Sequence, residues 1–213
     1  MLTINEIFHS VQGESSYAGQ PCVFVRLTAC DLRCSWCDTP YAFHEGGKRT
    51  LDDVVAEVTA YGCPLVEITG GEPLLQEDVY PLMQRLVQDG RTVLLETGGH
   101  RSTDRVPDGV VTILDVKCPG SGEAHRHDWH NFARLRPGDE VKFVVRDRAD
   151  YEYAKDVIAR YDLQVLAAAI HLSPVHGELD PRLLSEWVLA DRLRVRVQLQ
   201  LHKIIWDPQT RGV

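Results

Sequence analysis

Val23-Phe24-Val25-Arg26-Leu27-Thr28 runs directly into Ala29-Cys30-Asp31-Leu32-Arg33-Cys34-Ser35-Trp36-Cys37. The first six residues read as a β-strand. They are mostly apolar and lack clean alternation, as in a strand covered on both faces. Cysteines spaced C-x3-C-x2-C follow at its C-terminal end. The same kind of run recurs at Leu65–Thr69, Thr92–Thr97, Val111–Val116, Val141–Val145, Ala169–Ser173 and Val195–Leu201. Helical patterns lie between most of these, at about Thr50–Tyr61, Glu77–Gln88, Ala149–Tyr161 and Pro181–Ala190. Thr50 suits an N-cap, with Asp52 and Asp53 in the first turn. The stretches His100–Pro107 and Cys118–Pro137 are less regular. Alternating strands and helices predict right-handed βαβ units around a parallel sheet. Seven strands in 213 residues are too few for an eight-fold barrel of about 250 residues. The expected fold is therefore α/β, an incomplete, open parallel β/α barrel, with residues 1–213 as one domain. A flat doubly wound sheet is the alternative. Both place function at the C-terminal ends of the strands.

Those ends are rich in chemistry. Successive strands lead into Thr69-Gly70-Gly71-Glu72-Pro73, Glu96-Thr97-Gly98-Gly99 and Asp115-Val116-Lys117-Cys118-Pro119. Later ones lead into Ser173-Pro174-Val175-His176-Gly177 and Gln200-Leu201-His202-Lys203. Glycines at such turns allow positive φ or close approach of the backbone to a ligand.

Lys and Arg number 23 against 31 Asp and Glu, a net charge of −8. That balance argues against non-specific binding to nucleic acid or to an anionic membrane. No apolar run is long enough to predict a transmembrane helix. Met1-Leu2-Thr3-Ile4-Asn5-Glu6 has no basic start followed by an apolar stretch, so no secretory signal is expected and the chain reads as cytoplasmic. A chain of this size needs no disulfides, and cysteines clustered in that compartment point to metal or redox chemistry. Cys22, Cys63 and Cys118 stand alone among apolar neighbours and read as small core residues.

Three thiolates on one short loop can hold a soft metal centre. If Cys30, Cys34 and Cys37 hold a [4Fe–4S] cluster, one iron is left open to another molecule, and an open position generally means catalysis. The alternative from spacing is a closed zinc site, completed by His44 or a distant cysteine, in a non-catalytic interaction domain.

C-x3-C-x2-C after the first full strand, with Trp36 before its third cysteine, resembles the radical S-adenosylmethionine (SAM) superfamily. Thr69-Gly70-Gly71-Glu72-Pro73 resembles that superfamily's GGE motif. The resemblance narrows with Asn5-Glu6-Ile7-Phe8-His9-Ser10-Val11-Gln12-Gly13-Glu14, with Cys37-Asp38-Thr39, and with Gln198-Leu199-Gln200-Leu201-His202-Lys203. Over about residues 3 to 206 the chain is similar to the 7-carboxy-7-deazaguanine synthases of the queuosine pathway. Small glycyl-radical-enzyme activating proteins share the cysteine spacing but act on a protein partner. The Gln12–Glu14 segment and the His202-Lys203 ending favour the pterin enzymes.

The resemblance implies a lyase that converts 6-carboxy-5,6,7,8-tetrahydropterin into 7-carboxy-7-deazaguanine. Reductive cleavage of SAM gives a radical that takes hydrogen from C6 of the pterin. Ring contraction and loss of ammonia follow, and SAM is regenerated. It also implies an electron donor such as flavodoxin or ferredoxin, and a homodimer. Cys30, Cys34 and Cys37 are the implied [4Fe–4S] ligands, and Thr39 the implied protein ligand of Mg2+. Val11, Gln12, Gly13, Glu14, Arg26, Thr69 and His202 are implied to contact substrate. Gly71, Glu96, Lys117, Cys118, Pro119, Ser173, Pro174, Val175 and His176 are implied to contact SAM.

The residues bear on those roles. Gln12 and Glu14 offer the donors and acceptors a guanine-like edge needs. Arg26, inside an apolar run, must face either an ion-pair partner on a neighbouring strand or a substrate carboxylate that its planar fork would suit. With Lys117, His202 and Lys203 it supplies the candidate cations of the rim. Arg26 and His202 are expected on the first and last strands, the two edges of an open barrel. His125, His127 and His130, in a charged irregular stretch, read as a solvated loop or helix face.

Overall fold

In the computed structural model, which describes residues 1–213, one nine-stranded sheet runs through the molecule. Its strands are β1 (Leu2–Val11), β2 (Pro21–Leu27), β3 (Gly47–Arg49), β4 (Leu65–Gly70), β5 (Thr92–Thr97), β6 (Val110–Asp115), β7 (Glu140–Val145), β8 (Ala169–Pro174) and β9 (Arg196–Val197). Their spatial order is β3-β1-β2-β4-β5-β6-β7-β8-β9. From β2 through β9 every neighbouring pair is parallel. These parallel strands are the ones expected from sequence, and the sheet is an open partial barrel as expected.

The helices are α1 (Leu51–Ala60), α2 (Val79–Gln88), α3 (Arg148–Arg160), α4 (Leu163–Leu166), α5 (Pro181–Asp191) and α6 (His202–Ile205). Their starts follow from local chemistry. Thr50 caps α1 in a capping box with Asp53. Asp147 caps α3 through the Asp150 amide, and Asp180 caps α5 ahead of Pro181. Val54, Val55 and Val58 of α1 and Leu82, Met83 and Leu86 of α2 are buried on one face. They pack in a core with the fully buried Val66, Ile68, Leu94 and Leu95. A second core under α3 and α5 contains Val141, Phe143, Tyr151 and Leu184. Truncating one such leucine to alanine costs about 2–5 kcal/mol.

The structure corrects several expectations. β1 and β3 were not foreseen, and β1 pairs antiparallel with both β2 and β3, so the sheet is mixed. β2 is consequently an interior strand, and the edges are β3 and β9. The last strand does not extend over Val195–Leu201 but ends at Val197. Gln198 N–H still donates to the Leu172 carbonyl of β8 at 2.9 Å, while its side chain bonds the loop that follows β1. Its side chain accepts from the Ser15 amide at 2.8 Å and donates to the Ser15 carbonyl at 2.7 Å. Leu201 N–H then donates to the Gly13 carbonyl at 3.1 Å. Ser16 N–H reaches Glu140 of β7 at 3.0 Å. This loop bridges the gap between the two sides of the open barrel, and His202 begins α6 instead of ending a strand.

The irregular segment after β6 forms short 3-10 turns at Pro119–Ser121, Ala124–Arg126 and Trp129–Arg134. His125 and His130 are exposed, but His127 is buried against Trp129 and Phe132, with ring centroids 4.6 and 5.2 Å away. It belongs to an aromatic cluster and not to a solvated face. No helix is long and apolar enough to cross a membrane.

Candidate active site

The C-terminal ends of the parallel strands enclose a cavity of about 860 Å³. Cys30, Cys34 and Cys37 line it, with Thr39 beside them. The cysteine loop leaves β2 through Ala29, held at φ +82, a left-handed conformation unusual for a residue with a side chain. Glu72 N–H donates to the Ala29 carbonyl at 2.8 Å and Gly71 N–H to the Leu27 carbonyl at 3.1 Å. A β-carbon on Gly71 would strike the Ala29 backbone and the Cys30 side chain. The glycine here thus serves close packing of the GGE turn against the cysteine loop. Glu72, fully buried, accepts from Leu74 N–H, the Thr97 hydroxyl and Gly98 N–H at 2.8–3.0 Å. It ties the turns after β4 and β5 together beneath the cavity.

Cys30, Cys34 and Cys37 all line the cavity, so a metal centre held by these three thiolates would be open to a ligand bound there. Burial pushes the Cys34 thiol up to about 11, with Lys117 pulling the other way, so cluster assembly must displace its proton. A closed zinc site finds no fourth ligand in the residues proposed for it. His44 is exposed and off the cavity wall, and Cys22, Cys63 and Cys118 are buried in the core as expected.

Charged groups also line the cavity. Arg26 Nε donates to Glu6 of β1 at 2.7 Å, the ion pair with a neighbouring strand that the sequence allowed. Arg26 lines the cavity, and its terminal amino groups make no hydrogen bond. Lys117 is held by Asp115 at 2.7 Å and Lys203 by Asp38 at 2.7 Å. Arg26, Lys117 and Lys203 are thus each paired with a carboxylate. His202 lines the cavity with its ring unpartnered, and burial lowers its pKa, so it acts as a neutral donor or acceptor.

The Gln12–Glu14 segment also lines the cavity. Gln12 is held by the protein at both amide atoms. It donates to Glu67 and accepts from Glu14 N–H at 3.1 Å. Glu14 Oε2 accepts from Lys142 at 2.8 Å, while its buried Oε1 has no partner. Lys142 also donates to Glu96 Oε1 at 2.6 Å, and Thr69 donates to Glu96 Oε2 at 3.4 Å. Burial, followed by the Glu96 charge, pushes Glu67 well above the usual carboxylate range and favours its neutral form. Sequence reasoning missed Lys142 and Glu67. Each is a charged residue inside an apolar strand, the signal that singled out Arg26.

Val11, Gly13, Thr69, Gly71, Glu96, Lys117, Val175 and His176 all reach the cavity. Cys118, Pro119, Ser173 and Pro174 do not line it. Cys118 and Ser173 are fully buried, and Pro119 opens an exposed turn. Pro174 lines a separate pocket beside α6. The tail from Pro208 to Val213 also lines the cavity. Arg211 anchors that tail by bonding Glu45 at 2.8 Å and lying 3.8 Å over the Tyr41 ring.

A model of the radical SAM superfamily matches residues 25–114. A 7-carboxy-7-deazaguanine synthase of Koribacter versatilis is 49% identical over 226 residues, covering 100% of both chains. One from Chlorobaculum tepidum is 49% identical over 215 residues, covering 100% of this chain and 97% of the relative. Among solved structures, QueE from Escherichia coli superposes with a TM-score of 0.77 at 25% identity, covering 93% of each chain.

Proposed function

The chain belongs to the 7-carboxy-7-deazaguanine synthase family of radical SAM enzymes, and on that basis we propose that it converts 6-carboxy-5,6,7,8-tetrahydropterin into 7-carboxy-7-deazaguanine with loss of ammonia, in queuosine and 7-deazapurine biosynthesis. One observation carries the reading. A single cavity is lined by three thiols, by an arginine whose terminal amino groups make no hydrogen bond, and by a glutamate with an unpartnered buried carboxylate oxygen.

Cys30, Cys34 and Cys37 would hold a [4Fe–4S] cluster. Together with SAM, that cluster would supply one-electron reductive chemistry at this end of the cavity. Gly71, Glu96, Lys117, Val175 and His176 are the cavity residues assigned to SAM. The remaining work falls to the chain's own side chains. Arg26 offers its terminal fork to the substrate carboxylate. Glu14 Oε1, buried and unpartnered, accepts from the amino or ring N–H edge of the pterin. Thr69 and the neutral His202 add hydrogen bonds, while Val11 and Gly13 shape the wall. Thr39 would contribute its hydroxyl to a Mg2+ completed by substrate oxygens and water. Asp38 is engaged by Lys203, which argues against it as a further ligand.

An external one-electron donor such as flavodoxin or ferredoxin, a homodimeric assembly and a cytoplasmic setting complete the proposal. The test is anaerobic reconstitution with iron and sulfide, then incubation with SAM, reductant, Mg2+ and the carboxypterin. Product mass and released ammonia are followed. Formation of the deazapurine supports the assignment. SAM cleavage without conversion of the pterin would refute the substrate.

A further inference from the structure

One buried ammonium on the cavity lining belongs to a residue with no role so far. Lys142 projects from β7, where it pairs with Asp115 of β6 on one side and His171 of β8 on the other. Its side chain is 4% exposed. Its ammonium donates to Glu14 at 2.8 Å and to Glu96 at 2.6 Å, and lies 3.8 Å from Asp115. Burial works against that charge, but the surrounding carboxylates outweigh it and hold the lysine pKa well above its ordinary value.

The two main partners come from different parts of the barrel. Glu14 sits on the loop that closes the gap, 128 positions away in sequence, and Glu96 ends β5, 46 positions away. Each gives Lys142 one oxygen. The other oxygen of Glu14 is unpartnered, and that of Glu96 holds Thr69. The lysine therefore fixes both carboxylates while leaving Glu14 an acceptor to offer a ligand.

We propose that Lys142 is a positioning residue that couples the two halves of the cavity, aligning Glu14 for the substrate and Glu96 for SAM through one shared ammonium group. The inference rests on the assignment of those two glutamates under Proposed function. A ligand that draws on Glu14 changes the geometry of the shared ammonium, and Glu96 responds. A lysine whose only task was to neutralise buried charge would support folding without linking the two affinities.

The experiment measures SAM affinity of the reconstituted protein by calorimetry, with and without the carboxypterin. It uses wild type, Lys142→Arg, Lys142→Gln and Glu96→Gln. Wild type should bind SAM at least about 5-fold tighter when the pterin is present, the lower end of typical coupling between sites. The same factor should appear for pterin binding with and without SAM, because coupling is reciprocal. Lys142→Gln should bring the factor close to one, and Lys142→Arg should restore part of it. Should Lys142→Gln fail to fold, Glu96→Gln decides, since it keeps the lysine and its bond to Glu14 but weakens the other arm. A wild-type coupling factor retained in Lys142→Gln or, where that variant fails to fold, in Glu96→Gln overturns the proposal, as does wild type that binds both ligands without coupling. Wild type that binds SAM but not the carboxypterin overturns the substrate assignment itself, and this inference with it.

Discussion

The imidazole of His202 occupies the space that a β-carbon on Gly13 would need. The two residues stand at opposite ends of the chain, and the Leu201 amide bonded to the Gly13 carbonyl holds the segments together. Gly13 is thus the residue that lets the closing loop and α6 meet, and it seats the His202 ring against the cavity.

Replacing Gly13 with Ala should push His202 out of place while leaving the cysteine loop intact. If His202 donates one hydrogen bond to substrate, kcat/KM should fall roughly 2- to 10-fold. His202→Ala should fall by a similar amount. The double variant should be little worse than either single one, because both remove the same contact. Fully additive losses would show that Gly13 acts by another route.

Arg26 combines a structural and a recognition role in one side chain. Its Nε is committed to Glu6, and its terminal amino groups remain for a carboxylate. A hydrogen bond to a charged group contributes about 1.5–3 kcal/mol, so Arg26→Ala should lower kcat/KM roughly 10- to 150-fold. Arg26→Lys should fall between, since it keeps charge but loses the fork. Pterin affinity should drop in parallel while cluster absorbance and SAM affinity stay the same. Unchanged pterin affinity in Arg26→Ala would remove this residue from substrate binding.

The cysteines separate into two sets by environment. Alanine at Cys30, Cys34 or Cys37 should abolish the visible absorbance and iron content of the reconstituted protein. Alanine at Cys22 or Cys63 should leave both intact. Cys118→Ala should also keep the cluster, but with a lower melting temperature, because Cys118 is fully buried in the second core. Equal dependence of the cluster on a buried cysteine would contradict the open-sided site.

The parallel strands β2 and β4 to β8 were legible because each is a mostly apolar run buried along most of its length, a pattern carried by local sequence alone. The cysteine loop was legible from spacing. β1 was not read as a strand, because Asn5, Glu6, His9 and Ser10 break up its apolar residues and only pairing with β2 and β3 organises it. Lys142 and Glu67 escaped notice because their meaning depends on which strands become neighbours. Asp115 stands opposite Lys142 only once β6 and β7 are in register. Cys118 was assigned to the cavity by its place after a strand, but the side chain there turns into the core while Lys117 reaches the rim. Motif position locates a segment, and the backbone direction of each residue decides which side chain meets the ligand.

His127 provides a test of the fold that is independent of catalysis. Burial lowers its pKa to about 4 from the ordinary 6.5, and both ring nitrogens lack hydrogen-bond partners. The folded protein therefore keeps this ring neutral in a range where the unfolded chain would protonate it. Its contribution to stability is fully present above about pH 6.5 and is lost progressively as pH falls toward 4. A shift of this size corresponds to a loss of roughly 3 kcal/mol at most. His127→Leu should keep the aromatic cluster packed and remove the titration. Urea unfolding at pH 7.5, 6 and 5 should show wild type losing stability faster than His127→Leu over that range. Parallel slopes in the two proteins would mean that His127 is not the group whose protonation opposes the fold.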